Sequence, residues 1–134
     1  MQLTEHRAGD HYSVVSVEGH QITLHYRDQT SQHSKTVIVG AHLLDTDWPV
    51  TDIRALEALD ERSLAPLVEP TPEVVVIGYG AHQPLPNPRL MQWFHQRQIG
   101  LEIMSLDAAC RTFNVLMSEQ RRALGALILP AAKA

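Results

Sequence analysis

The sequence contains a single cysteine, Cys110, and no apolar run approaching the roughly 20 residues that span a bilayer. One thiol cannot form an intrachain disulfide, so a disulfide scaffold is excluded and a reducing compartment is favoured. The first ten residues, MQLTEHRAGD, have neither the apolar core of a signal peptide nor the Arg- and Ser-rich character of a transit peptide. The sequence therefore predicts a soluble cytoplasmic protein without membrane insertion.

Positive charge is not in excess either. The chain has 11 Lys and Arg against 15 Asp and Glu, which gives a net charge of -4 and a pI near 6.0. This balance provides no general attraction to phosphate backbones, so nucleic acid is not an expected partner. A composition that is 44% hydrophobic and 19% charged is typical of a globular protein. The length predicts a single domain over residues 1–134, with an ordered core at about 10–130 and a loose tail at 131–134.

The motifs of common enzyme and metal sites are also missing. The eight histidines form no HxH or HExxH pair, and zinc would need several ligands converging from separate loops. We therefore expect surface histidines, no metal and no cofactor. There is no GxSxG motif, and the acidic residues are too dispersed to nominate an acid–base pair. Cys110 lies in an apolar pattern typical of a buried, inert thiol. These absences favour a non-catalytic protein.

β-Branched and aromatic residues dominate the start of the chain. Residues 12–17 (YSVVSV) and 21–26 (QITLHY) predict a hairpin that turns at Glu18-Gly19-His20. The polar residues 27–34 predict a loop, and residues 36–39 (TVIV) predict another strand. The first third of the chain therefore reads as β-structure.

Helix signals begin in the middle of the chain. Residues 53–56 (IRAL) are compatible with a short strand, and Asp60 is a good N-cap for a helix after it. Residues 74–77 (VVVI) predict a buried strand. Asn87 and Pro88 predict the start of another helix, since Pro at the first helical position loses no hydrogen bond. Its predicted inward stripe consists of Leu90, Met91 and Phe94.

The next segments complete a βαβ unit. Gly100 ends that helix, and residues 101–104 (LEIM) predict a strand parallel to the preceding one. Ser105 can cap a further helix, in which apolar residues recur at three- and four-residue steps. These are Leu106, Ala109, Cys110, Phe113, Leu116 and Met117. The pattern of residues 123–129 (ALGALIL) fits a helix or a strand equally well.

Gly78-Tyr79-Gly80 follows the buried strand and precedes a helix, which is where open α/β sheets commonly bind ligands. Two interpretations stay open. In one, the loop holds an anion or partner with His82 beside it; in the other, its glycines simply permit a sharp turn. The stretch matches neither GxGxxG nor a P-loop, and the prolines up to Pro88 separate the glycines from the helix.

Three further residues are candidates for the same groove. Arg111 and Asn114 lie three apart on one face of the helix that starts at Ser105, and Arg121 follows it. Together they suit a carboxylate or phosphate. The alternative is a solvated helix face with a weak salt bridge. The candidate groove thus comprises Gly78, Tyr79, Gly80, His82, Arg111, Asn114 and Arg121.

Residues 73–129 resemble a known family, the small α/β domain shared by the mitochondrial complex I assembly factor 3 and uncharacterised prokaryotic proteins. The resemblance is carried by PEVVVIGYG and by the run from NPRLMQWFHQRQIG to ALGALIL. The family's Arg-Thr-Tyr-Asn stretch corresponds here to Arg111-Thr112-Phe113-Asn114. The family's Gly-Thr-Gly loop corresponds here to Gly78-Tyr79-Gly80. Its Glu-Gly-Arg-Arg segment corresponds to Glu119-Gln120-Arg121-Arg122, so Gln120 replaces a glycine that would suit a turn with positive φ.

The resemblance implies an α/β fold of three layers. A mixed five-stranded central sheet contains the βαβ unit and has its last strand antiparallel, and an N-terminal β-hairpin forms an extra layer. It also implies that residues 123–129 are a strand.

The resemblance implies a non-catalytic assembly-factor-like domain that binds another protein, as a monomer or weak homodimer. The alternative is an uncharacterised enzyme or small-anion-binding protein that uses the glycine-loop groove, with His82 as a proton carrier.

Overall fold

The structure is a computed structural model of the chain and describes residues 1–3, 10–85 and 87–131. His6 and residues 132–134 of the predicted loose tail lie outside the described residues. The described chain contains two β-sheets, one of three strands and one of five, together with helices on both faces of the larger sheet.

The first sheet is an antiparallel meander of β1 (Ser13–Glu18), β2 (Gln21–Tyr26) and β3 (Gln29–His33). β1 and β2 form the predicted hairpin, which turns at Gly19 with a φ of +58°. The alternating apolar side chains of the hairpin are buried: Val14, Val17, Ile22 and Leu24. The predicted N-terminal hairpin layer is therefore confirmed.

Strand β3 shows that the predicted loop over residues 27–34 is wrong. The chain reverses at Arg27 and Asp28, whose φ values of 48° and 66° are those of a type I′ turn. The next five residues pair with β2. Most side chains of β3 are exposed at the sheet margin, so its sequence shows no apolar alternation that could have indicated a strand. Backbone hydrogen bonds rather than burial keep it in place.

The second sheet has the strand order β5-β4-β8-β6-β7. Its strands are β4 (Val37–Val39), β5 (Leu44–Asp45), β6 (Val74–Tyr79), β7 (Gly100–Met104) and β8 (Ala123–Ile128). β6 is parallel to both of its neighbours, with Val74 opposite Gly100 on one side and Ala123 on the other. The predicted βαβ unit is confirmed, and residues 123–128 form a strand as the resemblance implied.

The strand direction implied for the end of the chain needs correction. β8 is parallel to β6, and the antiparallel strand is β4, which runs against both β8 and β5. The physical reason is helix α3 (Leu106–Ser118), which carries the chain from the carboxyl end of β7 back to the edge where β6 begins. β8 therefore starts at that edge and runs in the same direction as β6.

Helix α3 lies between the two sheets. The Ser105 hydroxyl accepts a hydrogen bond from the Ala108 N–H at 3.4 Å and caps the helix, as predicted. The helix contacts β6 and β8 of the large sheet and β1 of the small one. Its predicted stripe is buried throughout: Leu106, Ala109, Cys110, Phe113, Leu116 and Met117. Helix α3 is thus the layer that joins the N-terminal sheet to the rest of the fold.

The other face of the large sheet is covered by α1 (Glu61–Val68), α2 (Pro88–His95) and a 3₁₀ helix (Ile53–Ala58). Asp60 and Asn87 accept hydrogen bonds from backbone N–H groups as N-caps of α1 and α2, as predicted. The layers are therefore the small sheet, α3, the large sheet and the outer helices. The predicted α/β fold with an added hairpin layer is confirmed.

Two local predictions on the outer face are wrong. Residues 53–56 belong to the 3₁₀ helix and not to a strand, because Asp52 caps it by accepting a hydrogen bond from the Arg54 N–H at 2.9 Å. Met91 is 42% exposed instead of facing the core. Leu90 and Phe94, four residues apart, fill the contact line of this short helix and leave Met91 at its margin.

Candidate functional site

Gly78 ends the buried part of β6, where the strand passes under α3. A Cβ placed on this residue would lie 2.5 Å from the Ala109 Cβ and 3.3 Å from the Leu106 Cα. Real side chains do not approach so closely, so glycine is required for α3 to pack on the sheet. The first glycine of the loop therefore has a packing role.

Gly80 provides the turn after β6. Its φ is +76°, and a Cβ there would meet nothing within 4 Å. Its carbonyl accepts a hydrogen bond from the Leu106 N–H at 2.9 Å, while Ser105 accepts one from the Ala108 N–H. Two of the first amides of α3 are thus bonded within the chain, which leaves fewer for an anion.

Tyr79 is half-buried and lies near an ion pair at the start of the 3₁₀ helix. Arg54 donates to Asp52 through both Nε, at 3.2 Å, and Nη2, at 2.8 Å. The Arg54 guanidinium holds the pKa of Asp52 at about 2, and the Tyr79 hydroxyl adds to the effect. This corner of the carboxyl edge is therefore fixed by charge-assisted hydrogen bonds.

His82 is exposed on the loop that follows the glycines. The next residue, Gln83, donates from its Nε2 to the Ile103 carbonyl oxygen at 2.5 Å and ties the loop to β7. His82 thus lies on the surface beside strand β7, at the edge of the large sheet.

Asn114 joins α3 to the small sheet. Its Oδ1 accepts a hydrogen bond from the Val14 N–H, and its Nδ2 donates to the Val14 carbonyl, both at 2.9 Å. Arg111, one turn earlier and exposed, has its Nη1 3.3 Å from the Met1 sulfur. Asn114 therefore already uses both ends of its amide to position β1.

Arg121 lies at the opposite end of the large sheet from the glycine loop. Its Nε donates to Glu73 Oε1 at 3.1 Å, and Glu73 immediately precedes β6. This contact lowers the pKa of Glu73. The six residues of β6, roughly 20 Å of extended chain, separate Arg121 from Gly80. The structure therefore brings together the residues of the glycine loop but places Arg121 at the other edge.

The buried position predicted for Cys110 is confirmed. Burial raises the pKa of its thiol to about 12, and the charge of Asp107 adds to the rise. Among the described residues, no three His, Cys, Asp or Glu side chains gather as metal ligands would. No helix in the part of the chain that the structure describes is long and apolar enough to cross a membrane.

Sequence patterns did not predict the apolar surface beside β7. Leu85 is 90% exposed. It stands between two prolines in the sequence, a context that disfavours a helix or strand and was the one sequence feature that could have indicated an exposed leucine here. Along the same edge, a groove of about 350 Å³ separates α2 from β7 and includes Met91, His95 and Leu101. We call Leu85, this groove and the outer side of β7 the β7 edge surface.

The strand order and the layered helices define a small mixed α/β domain built around two consecutive βαβ units, β6-α2-β7 and β7-α3-β8. The chain belongs to the family described as "Protein of unknown function (DUF498/DUF598)", which matches residues 14–128.

Curated relatives carry names that refer to assembly or to a membrane. The chain is 35% identical over 85 residues to "NADH dehydrogenase [ubiquinone] 1 alpha subcomplex assembly factor 3" of Drosophila melanogaster, covering 62% of this chain and 43% of the relative. The protein of the same name from Danio rerio is 39% identical over 75 residues, covering 56% and 43%. A "13 kDa major membrane protein" of Francisella tularensis is 25% identical, covering 63% and 67%. The chain thus spans less than half the length of these two animal relatives.

Solved bacterial structures share the fold. A Bordetella parapertussis protein superposes with a TM-score of 0.72 at 27% identity, covering 92% of this chain and 99% of that one. A Xanthomonas campestris protein gives 0.73 at 28%, covering 100% and 96%. A Bordetella pertussis "Mth938-like domain" gives 0.71 at 24% identity, covering 100% and 95%, and supports the fold alone.

Proposed function

We propose that this chain is a non-catalytic, assembly-factor-like protein-binding domain that takes an extended segment of its partner along the β7 edge surface. The observation that carries the proposal is Leu85, which is 90% exposed beside a sheet edge that has no neighbouring strand in the described chain. The names of the animal relatives, which describe an assembly factor, support the same class of function.

The backbone of β7 has hydrogen-bonding groups on its outer side. Gly100 donates its N–H to Glu73 at 3.0 Å, so it faces β6. Because strand residues alternate in direction, the N–H and C=O groups of Leu101 and Ile103 face outward. Gln83 bonds the Ile103 carbonyl, which leaves three outward groups for another strand. Open edges of this kind bind extended peptides by strand addition.

Apolar side chains flank these groups at both ends. Met91 lies in the groove beside the first half of β7, and Leu85 lies on the loop that Gln83 ties to the second half. A partner segment lying along β7 would cover both, and its apolar side chains would supply contact area that backbone bonds lack. The preferred partner is therefore an extended segment with apolar residues near both ends.

The glycine loop has a supporting part in this proposal. Gly78 and Gly80 set the direction in which the chain leaves β6, and His82 and Leu85 follow on the loop they direct. Tyr79 is half-buried and packs against the core cluster that contains Leu90 and Phe94. Arg111 and Asn114 belong to α3 and Arg121 to the opposite edge, so we assign none of these three to the partner surface.

The test begins by replacing Leu85 with a photo-crosslinking amino acid. Irradiation then labels the partner segment that is bound at this position. That segment is then synthesised, and its affinity is measured for wild type, Leu85→Asp and Met91→Glu. Burying one leucine contributes about 1.5–3 kcal/mol, so Leu85→Asp is expected to weaken binding roughly ten- to a hundredfold.

Val115→Asp is the matched control, because Val115 is 51% exposed on α3 and does not line the groove beside β7. All variants should retain the melting temperature of wild type within a few degrees. The proposal is wrong if the segment binds Leu85→Asp and wild type equally well, or if Val115→Asp is the variant that loses binding.

A further inference from the structure

A cleft of about 430 Å³ lies at the amino edge of the large sheet, where β6 and β8 begin. It is bounded by residues 40–43 after β4 and by the turn 120–123 before β8. This amino-edge cleft shares no lining residue with the groove beside β7. Its volume is within the range of small-molecule sites.

The floor of the cleft is apolar. Met117 of α3 and Leu124 of β8 are both buried in the core and contribute to the lining, together with Leu43 and Pro72. Such a floor favours a ligand with a hydrocarbon or aromatic body over a bare inorganic ion.

The rim carries two arginines with donors to spare. Arg121 uses Nε for Glu73, and Arg122 uses Nη1 for the Thr71 carbonyl at 2.9 Å. Within the described residues, the terminal nitrogens of Arg121 and the Nη2 of Arg122 have no hydrogen-bond partner. Glu73 offsets the charge of Arg121. Asp10 also lines the cleft, and its carboxylate lies 3.8 Å from Arg27 Nη2, so among the described residues Arg122 is the cation of the rim that faces no carboxylate side chain of its own. Guanidinium groups recognise carboxylates through such parallel donors.

His11 adds an unsatisfied polar atom. Its Nδ1 lies 2.9 Å from the Tyr12 carbonyl oxygen, which can only accept, so Nδ1 carries the proton. Its Nε2 is buried and has no hydrogen-bond partner among the described residues. Leaving a buried polar atom unpaired is unfavourable, and His11 lines the cleft. A ligand that carries a hydroxyl or amide donor can therefore satisfy Nε2, which accepts the hydrogen bond.

We propose that the amino-edge cleft binds small monocarboxylates with an apolar body. Arg121 and Arg122 hold the carboxylate, Met117 and Leu124 contact the body, and His11 Nε2 accepts a hydrogen bond from a hydroxyl where the ligand carries one. The charge of the rim matches one anionic group, and the floor excludes ligands that lack an apolar part. This site is independent of the partner surface at β7.

The probe is 4-phenylbutyrate, titrated into the ¹⁵N-labelled protein and followed by amide chemical shifts. We expect shifts at His42, Arg121 and Arg122, and a second titration with 4-phenylbutyramide should show binding at least about tenfold weaker, since the charge-assisted bonds are lost. Inorganic phosphate should produce no comparable shifts. Equal binding of the amide, or shifts confined to other regions, would overturn the proposal.

Two substitutions give opposite expected signs. Arg122→Gln should weaken 4-phenylbutyrate binding about tenfold. Glu73→Gln should strengthen it roughly two- to fivefold, because Arg121 loses its internal carboxylate partner and the rim gains positive charge.

Arg62→Gln on α1 is the control, since Arg62 does not line the cleft. Unchanged affinity in Arg122→Gln, or weaker binding in a folded Glu73→Gln, contradicts the proposed role of the rim. A melting curve for each variant shows whether it is folded.

Discussion

The turns at the two ends of the parallel strands both use positive φ, but with different residue types. At the carboxyl edge, Gly80 takes positive φ and Gly78 admits α3. At the amino edge, the helices that precede β6, β7 and β8 are followed by Thr71, Gln98 and Gln120, with φ values of 54°, 61° and 58°. Residues other than glycine rarely adopt this left-handed backbone conformation, which costs them roughly 1–2 kcal/mol.

Hydrogen bonds account for the difference. After α3, Arg121 donates its N–H to the Leu116 carbonyl and Gln120 donates to the Met117 carbonyl, both at 3.0 Å. The same pair of bonds, the Schellman motif, follows α2, where the Ile99 N–H reaches Phe94 and the Gln98 N–H reaches His95. These bonds hold Gln98 and Gln120 in the left-handed region whatever their side chains. Thr71 makes one bond of this kind, to the Val68 carbonyl at 2.9 Å, since Pro72 has no N–H for the second. The carboxyl edge depends on residue type, whereas the amino edge depends on its hydrogen bonds.

The largest expected effect is at Gly78. Gly78→Ala places a methyl group 2.5 Å from the Ala109 Cβ, so α3 must shift from β6. We expect a loss of about 2–3 kcal/mol in the free energy of unfolding and a fall of about 10 °C in melting temperature. Thermal and urea unfolding measure both values.

Gly80→Ala is the control for Gly78, since open space surrounds Gly80 and only backbone strain applies. It should cost roughly 1–2 kcal/mol. If Gly78→Ala is the milder of the two, steric exclusion is not what places glycine at the end of β6.

The next effect is at Asn114, which links the small sheet to α3. Asn114→Ala removes both hydrogen bonds to Val14 and should lower the free energy of unfolding by about 1–3 kcal/mol. Asn114→Asp keeps the acceptor for the Val14 N–H and should lose less. An unchanged melting temperature in Asn114→Ala would show that β1 is held by its apolar contacts alone.

Substitution to glycine at the amino edge should stabilise the protein. Gln120→Gly removes the strain of positive φ, and the greater freedom of glycine in the unfolded chain offsets part of the gain, which leaves about 0.5–1 kcal/mol. Thr71→Gly should behave alike, because Thr71 is β-branched. Chemical denaturation of both variants, with Gly80→Gln as the reciprocal change, measures this. Destabilisation in Gln120→Gly would contradict the contrast between the edges.

The smallest effect is pH-dependent. Arg54 lowers the pKa of Asp52 from 3.8 to about 2, so the ion pair stabilises the folded protein above pH 3.8 and loses that contribution as the pH falls toward 2. The difference in melting temperature between wild type and Asp52→Asn should therefore be constant above about pH 4 and shrink below it. Because Asp52 is at the surface, added salt should reduce the difference. A difference independent of both pH and salt would contradict the charge-based explanation.

Local signals in the sequence predicted much of the fold. The N-caps Asp60, Asn87 and Ser105 accept hydrogen bonds from backbone N–H groups at the helix starts. This property belongs to the residue type, so the helix starts could be predicted from the sequence. The buried face of α3 could be predicted because its apolar residues recur at three- and four-residue steps. Strand β3 could not be read this way, because its pairing with β2 uses backbone groups that every residue has. The direction of β8 depends on the path of α3 across the sheet, which no local pattern records.

The candidate site was harder to predict, because proximity in the sequence is not proximity in the fold. Arg111 and Asn114 share one helix face, but Asn114 bonds to Val14, 100 residues earlier in the chain. Arg121 follows the same helix and meets Glu73 at the far edge. The β7 edge surface is defined by which strand lies outermost, and strand order cannot be read from apolar periodicity. Its sequence signal was limited to Leu85 between prolines.

The proposed strand addition at β7 is tested most directly by amide hydrogen exchange at Leu101 and Ile103, with and without the crosslink-identified partner segment at saturation. We predict at least about tenfold slower exchange at these two amides in the complex, while Gly100, already bonded to Glu73, changes little. Unchanged exchange at Leu101 and Ile103 in a saturated complex would contradict strand addition at this edge.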